Sequence, residues 1–208
     1  MDKYDIKTAH KALYSASAKE FCLVDVPDLQ YLSIDGHGDP NTSPAYRDAV
    51  ESLFTLAYTV KFASKKSLDR DFTVGPLEGL WRSEDVTAFT RRDKHAWEWT
   101  MMISQPAWIT ADMLEVAREQ AAKKKQLAGL AAISLRTLTE GRSVQILHIG
   151  SYDDEAPTLH RLHAEYLPGN GLTFNGDHHE IYLSDPRRIA SAKLRTVLRQ
   201  PVKALLLD

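Results

Sequence analysis

The spacing of apolar and polar positions along the chain predicts a first round of strand, helix and paired strands. Residues 31–38 alternate in polarity and end in glycines, which predicts a strand followed by a turn. Ser43 and Pro44 supply an N-cap and a first-turn residue for the helix that follows. The elements predicted in this round are a helix over residues 44–62, strands over residues 72–81 and 96–104, and a helix over residues 111–126.

A second round of the same order begins near residue 144. A strand that ends in glycine, a polar loop with proline at the helix start and an amphipathic helix recur there. Recurrence of whole elements in the same order indicates an internal duplication. The elements predicted in this round are a strand over residues 144–150, a helix over residues 157–166, a strand centred on Glu180 and a final strand over residues 194–202.

The duplication predicts an α+β fold that forms one domain over residues 1–208. We place the first repeat at about residues 30–126 and the second at about residues 143–204, after an N-terminal arm over residues 1–29. Two strand-helix-strand-strand units would form a mostly antiparallel sheet with helices on one face. The other face would then hold a ligand pocket.

One predicted strand near the end of the chain carries candidate chemistry. Alternation puts His178, Glu180 and Tyr182 on one face and His179 and Ile181 on the other. A glutamate on such a strand either faces water or serves as the acid-base group of a pocket. Because adjacent strand residues point to opposite faces, the two imidazoles cannot converge on one ion, and we expect no metal site.

Composition narrows the class of protein. The 208 residues are 43% hydrophobic and 26% charged, with a net charge of −2, which is typical of a globular domain and lacks the basic excess of nucleic-acid-binding proteins. The one cysteine excludes an intrachain disulfide and a multi-cysteine metal site. No apolar run is long enough to cross a membrane and the first residues do not resemble an export signal, so we expect a cytoplasmic protein.

Four stretches of the sequence, at residues 77–81, 97–100, 147–152 and 178–186, are informative when taken together. They resemble the GyrI-like family of small-molecule-binding domains, and the similarity extends over nearly the whole chain. The resemblance is greatest to a stand-alone subgroup, the cyclopropanoid cyclopropyl hydrolases. It implies two repeats around a pocket with an acidic residue at its floor. It also implies that water opens the cyclopropane ring of duocarmycin-like DNA-alkylating compounds, a role in detoxification and drug resistance.

The chemistry that this resemblance implies needs a base, an oxyanion donor and a flat apolar clamp, but no cofactor. A strand-borne carboxylate can remove a proton from water, and a hydroxyl or imidazole can stabilise the developing oxyanion. We expect Glu180 to be the base, with Tyr182 or His148 as the donor. Candidate ligand-binding residues are Trp81, Trp97, Trp99, Tyr58, Tyr152, Glu78 and His178.

Other interpretations of these residues stay open. His148 is as well explained as a hydrogen-bonded structural histidine, strand tryptophans commonly fill a core, and Glu78 fits a surface strand position. A non-catalytic protein that sequesters cationic or aromatic drugs would use Glu180 as a counter-charge. A protein-binding gyrase inhibitor is a third class, for which no feature singles out an interface, and a haem site lacks an axial-ligand signature.

Overall fold

The computed structural model describes residues 3–83 and 94–205, which divide into two compact units. The first unit comprises Met1–Ala9 and Leu29–Leu138, and the second comprises His10–Asp28 and Thr139–Asp208. Helices and antiparallel strands alternate within each unit, so the predicted α+β class is confirmed. Within the described residues, no helix combines the length and apolar character that a membrane crossing requires.

The described residues form nine strands. Strand β1, in the predicted N-terminal arm, and strands β5 and β7 were not predicted, since each is short and carries little alternation. The strands are β1 (Cys22–Val26), β2 (Leu29–His37), β3 (Leu77–Arg82), β4 (Glu98–Gln105), β5 (Ser134–Leu138), β6 (Gly141–Ile149), β7 (Leu172–Phe174), β8 (His178–Tyr182) and β9 (Arg195–Ala204).

Three of the helices in the described residues correspond to predicted ones with other end points, and the three shortest were not predicted. They are α1 (Ile6–Ala9), α2 (Lys11–Tyr14), α3 (Pro44–Leu68), α4 (Ala111–Lys124), α5 (Ala156–His160) and α6 (Leu167–Gly169). Between α5 and α6 the chain continues as a π-helical segment, Arg161–Tyr166. Short 3₁₀ turns occupy Lys94–Ala96, Ala128–Ala132, Tyr152–Asp154 and Ser191–Lys193.

The first unit is a four-stranded antiparallel sheet in the order β3-β4-β2-β5. Helix α3 starts as predicted, with the Ser43 hydroxyl accepting from the Tyr46 N–H and Pro44 in the first turn. It runs beyond the predicted end to Asp69, a left-handed residue with φ of 53°. The predicted strand over residues 72–81 forms only from residue 77, because Pro76 has no N–H for a ladder.

The apolar stripe of α3 coincides only in part with the one that the spacing predicts, which consists of Val50, Leu53, Phe54, Ala57 and Tyr58. The residues that turn inward are Ala49, Leu53, Leu56, Ala57 and Val60. The stripe therefore excludes Tyr58, which is 49% exposed on the outer side of the helix. Both stripes fit a 3.6-residue period, and only the packing of α3 on β2 and β4 decides between them.

The second unit repeats the strand order of the first. Its sheet runs β8-β9-β6-β1, and β7 pairs with the last residues of β9. In each unit a strand is followed by a helix and two antiparallel strands, as the duplication predicts. The exact repeat boundaries stay a prediction. Residues Val144, Leu162, Leu167 and Val202 form a small core between this sheet and the helical segment.

Candidate functional site in the second unit

The polar face of β8 carries a carboxylate that is held in place by its neighbours. The hydroxyl of Tyr182 donates to Glu180 Oε2 at 2.7 Å. The Nε2 atom of His178 lies 3.6 Å from Glu180 Oε1, and the side chains of these two residues are only 11% and 14% exposed. The strand therefore presents an oriented, nearly buried carboxyl group, flanked by one residue on each side as the alternation predicted.

A turn before α5 and the π-helical segment cover this face. The ring of Tyr152, in the turn, meets the ring of Tyr182 edge to face, with centroids 5.6 Å apart. The ring of His163, in the π-helical segment, lies 6.2 Å from that of His178. A π-helical turn inside a helix is frequently found at functional sites. Aromatic rings therefore flank Glu180 on its strand and on the covering segment.

His148 stabilises the turn that carries Tyr152. Its Nε2 atom lies 3.0 Å from the Ser151 carbonyl oxygen, which accepts a hydrogen bond when that nitrogen carries the proton. The side chain is 8% exposed. The next residue but one, Gly150, has a φ of 149°, and a Cβ there would lie 3.0 Å from the imidazole. This geometry gives His148 a role in holding the turn.

Glu155 is the residue that the sequence did not single out. It ends a run of three acidic residues before a proline, a pattern typical of a solvated loop and helix start. Asp153 and Asp154 are indeed exposed, whereas Glu155 is 4% exposed and faces the same site as Glu180 and Thr196. Only the tertiary path of the turn distinguishes the third carboxyl from the first two.

The two buried carboxyls differ in acidity. Burial raises the pKa of Glu180 to about 7, although the hydrogen bond from Tyr182 and the charge on His179 lower it. Burial and then the charge of Glu180 raise the pKa of Glu155 to about 10. Since two close carboxylates cannot both ionise easily, the pair carries one proton over the range between these values. Near neutral pH, Glu180 can therefore act as a base while Glu155 still carries its proton and can act as an acid.

The aromatic neighbours of this pair remain uncharged at neutral pH. Partial burial, together with the charges of Glu180 and Glu155, raises the pKa of Tyr152 to about 12. Burial lowers the pKa of His178 to about 3 and that of His163 to about 4. Tyr152 therefore stays a hydroxyl donor, and the imidazoles stay neutral.

Several buried polar atoms around Glu180 have no hydrogen-bond partner among the described residues. Such atoms are uncommon in folded proteins, because each costs roughly 1–3 kcal/mol. Their concentration on one face indicates a site that is completed by a bound molecule or by water. They are His163 Nε2 and both ring nitrogens of His178.

The predicted tryptophans lie in the first unit and form a cluster of their own. The rings of Trp81 and Trp97 meet edge to face with centroids 5.6 Å apart. Trp81 and Trp99 are paired across β3 and β4, and Tyr46 contacts both rings. Trp81 and Trp99 are 5% and 1% exposed, so much of this cluster is core, while Trp97 is half-buried.

Two further predicted residues of the first unit lie outside this cluster. Glu78 is fully buried, and its Oε2 accepts from the Tyr31 hydroxyl at 3.3 Å, so it does not occupy the surface position that was its alternative. Tyr58, on the outer side of α3, has no ring contact with the tryptophans in the described part of the chain. Residues 3–83 and 94–205 contain no group of three or more His, Cys, Asp or Glu side chains arranged for a metal ion.

The fold and these sites define a small-molecule-binding domain of α+β class. The GyrI-like small molecule binding domain family matches residues 19–203 of the chain. This chain belongs to the GyrI-like family, which confirms the resemblance inferred from its motifs.

Three solved structures from Listeria innocua are similar over 97% of this chain and 100% of theirs. One is an uncharacterized conserved protein, at 38% identity with a TM-score of 0.88. The other two are described as hydrolases, at 37% identity with a TM-score of 0.87 and at 36% identity with a TM-score of 0.84. A search of curated protein sequences found no match.

Proposed function

We propose that the protein is a hydrolase that opens the cyclopropane ring of electrophilic, DNA-alkylating small molecules by adding water, and so detoxifies them. The observation that carries the proposal is the buried carboxyl pair of Glu180 and Glu155 among polar atoms without partners. Two similar structures described as hydrolases support a catalytic role rather than binding alone.

The reaction needs only water, the compound and the two carboxyl groups of Glu180 and Glu155. The oxygen of a water molecule bonds to the cyclopropane methylene while the bond between that methylene and the ring carbon shared with the dienone breaks. The electron pair of the broken bond makes the dienone an aromatic phenolate. Glu180 takes the proton that the water loses. Protonated Glu155 is the acid from which the phenolate oxygen takes its proton. Proton exchange within the pair then restores the starting state.

The other residues of the second unit have supporting roles in this mechanism. Tyr182 orients the carboxylate of Glu180 through its 2.7 Å hydrogen bond. Tyr152 is a neutral donor to the developing oxyanion. His178 is a polar ligand contact, and His148 positions Tyr152 by holding the turn. General acid-base groups of this kind typically contribute about 10²–10⁴ in rate.

The aromatic cluster of the first unit offers the kind of surface that a flat polycyclic ligand needs. Ligand contacts by Trp81, Trp97 and Trp99 stay predictions, and the half-buried Trp97 has the best support among them. Each edge-to-face pair contributes roughly 0.5–1.5 kcal/mol beyond area burial. Ligand contacts by Glu78 and Tyr58 stay predictions, and the exposed Tyr58 has the weaker support.

The proposal is tested by incubating the protein with a compound that carries a cyclopropane fused to a dienone and following its mass. The wild type is expected to give a product heavier by one water. Glu180→Gln should bind the compound and return it unchanged, whereas Glu165→Gln, at an exposed position of the same unit, should retain turnover. Full turnover by Glu180→Gln would refute its role as base.

A second candidate function is sequestration of drugs without turnover. It is favoured by the family to which the chain belongs and by the buried carboxyl pair beside two tyrosine rings, which suits a cationic aromatic ligand. Tight stoichiometric binding with no product, at any protein concentration, would select this function.

A further inference from the structure

A closed ion-pair network lies on the side of β8 opposite to Glu180. The Nδ1 atom of His179 lies 2.9 Å from Glu140 Oε1, and Arg199 Nη1 donates to Glu140 Oε2 at 3.0 Å. These three side chains are between 0% and 2% exposed. A buried carboxylate held between an arginine and a histidine is an expensive arrangement, because burial costs each charged group several kcal/mol.

Hydrogen bonds connect this network to two further elements of the second unit. Arg199 Nε donates to Gln145 Oε1 at 3.2 Å, and Arg199 Nη2 donates to the Leu13 carbonyl at 2.8 Å. Gln145 Nε2 donates in turn to the Ala12 carbonyl at 2.8 Å. The arm that contains α2 is thereby fixed to β6 and β9, and the guanidinium of Arg199 is held by three acceptors.

The network is also close to the candidate base. His179 precedes Glu180 on β8 and is paired with Arg199 of the adjacent strand β9. Its side chain meets Glu140 on one side of the strand, while that of Glu180 points to the other. The imidazole of His179 therefore lies on the opposite face of β8 from the carboxylate of Glu180, and its contact with Glu140 sets its orientation.

We propose that His179 is a positioning residue, whose imidazolium is held by Glu140 and acts through β8 to keep Glu180 ionisable as a base. The inference rests on the proposed function of Glu180. Burial alone would raise the pKa of Glu140, yet the charges and hydrogen bonds of His179 and Arg199 lower it to about 2. The charge on His179 likewise lowers the pKa of Glu180 against the effect of burial.

Within the described part of the chain, the other groups that face Glu180 do not supply a positive charge. His178 on the same strand and His163 in the π-helical segment are both neutral, since burial lowers their pKa values. Tyr182 and Tyr152 are hydroxyl donors, and Glu155 is acidic. Among the described side chains that act on Glu180, His179 is the one whose charge would lower the pKa of this carboxyl.

The protonation of His179 can be measured on the wild-type protein. Nitrogen-15 shifts of the histidine rings should show an imidazolium for His179 at pH 7, while His178 and His163 show neutral rings. A neutral His179 at pH 7 would overturn the inference. This measurement needs neither turnover nor a variant that folds.

Three variants then test whether the charge acts on Glu180. The Glu180 carboxyl is titrated by carbon-13 shifts, with its signal assigned by its absence in Glu180→Gln. His179→Asn keeps a donor at the Nδ1 position but removes the charge, and it should raise the titration midpoint of Glu180 by roughly one pH unit. A shift of that size is expected for a unit charge within about 10 Å at an effective dielectric constant of about 20. His179→Lys should restore the wild-type midpoint. His178→Asn, which removes a neutral ring from the same strand, should shift it by less than half as much.

An unchanged midpoint in a folded His179→Asn, or no restoration by His179→Lys, would refute the charge effect. The titrations also separate this inference from the proposed function, because they report on Glu180 whether or not any compound is hydrolysed. If the compound is hydrolysed, the acidic limb of kcat/KM should move to higher pH with the midpoint.

Discussion

Replacing Glu155 by glutamine should make the protein more stable at neutral pH and less active. Glutamine has nearly the size of a protonated glutamate but cannot ionise. The pKa of Glu155 rises from an ordinary value of 4.5 to about 10 in the folded protein. Because the unfolded chain releases that proton more readily, the wild type loses stability as pH rises from about 4.5 towards 10.

The size of the effect at pH 7 follows from these two pKa values. Keeping Glu155 protonated 2.5 pH units above its ordinary value costs about 3 kcal/mol at 1.36 kcal/mol per unit. For a chain of this length, the gain in Glu155→Gln corresponds to roughly 6–12 °C in Tm. Near pH 4.5 both carboxyl and amide are neutral, so the difference should nearly vanish there.

The assay is thermal unfolding of both proteins at a series of pH values, together with turnover. Glu155→Gln should gain stability progressively above pH 5 while kcat falls by about 10²-fold or more, the usual contribution of a general acid. The exposed Glu165→Gln should differ from wild type by less than about 0.5 kcal/mol at every pH. A stability difference between Glu155→Gln and wild type that does not change with pH would mean that Glu155 is ionised in the native state.

Three further predictions concern pH and packing. The rate of hydrolysis should rise with pH through about 7, because Glu180 loses its proton there, and should fall near pH 10, because Glu155 loses its proton there. A kcat/KM that does not change with pH would contradict both roles. The free energy of unfolding should fall by about 3 kcal/mol as pH drops from about 4.5 to 2, because Glu140 has its low pKa only in the folded protein. In denaturant titrations, the free energy of unfolding of Glu140→Gln should depend less steeply on pH over this range. Gly36→Ala should cost about 1–3 kcal/mol, since a Cβ there would overlap the Trp99 ring; wild-type stability would show that the ring can move away.

Much of the fold was predictable because strong periodicity determined it. The alternation on β8 correctly separated Glu180 from His179, and Ser43 with Pro44 fixed the start of α3. Short strands with weak alternation were not predicted, and the inward face of α3 was misassigned at Tyr58, since neighbouring positions of a mostly apolar helix fit the period equally well.

The site was only partly predictable, because burial of a polar residue is decided by tertiary structure. The sequence pointed to Glu180, whose strand is rigid and periodic. It could not separate Glu155 from the exposed acids before it, and it could not foresee that His179 would meet Glu140 and Arg199, which are distant in sequence. Buried charges bring together residues that no local pattern connects.

The most direct test of the account is the origin of the oxygen in the product. A cyclopropane-dienone compound is incubated with the protein in oxygen-18-labelled water and the product is examined by mass spectrometry. Hydrolysis with Glu180 as base predicts one labelled oxygen on the former cyclopropane methylene for the wild type, and no more than the uncatalysed background for Glu180→Gln. Recovery of the unchanged compound with wild-type protein, or equal labelling by both proteins, would contradict it.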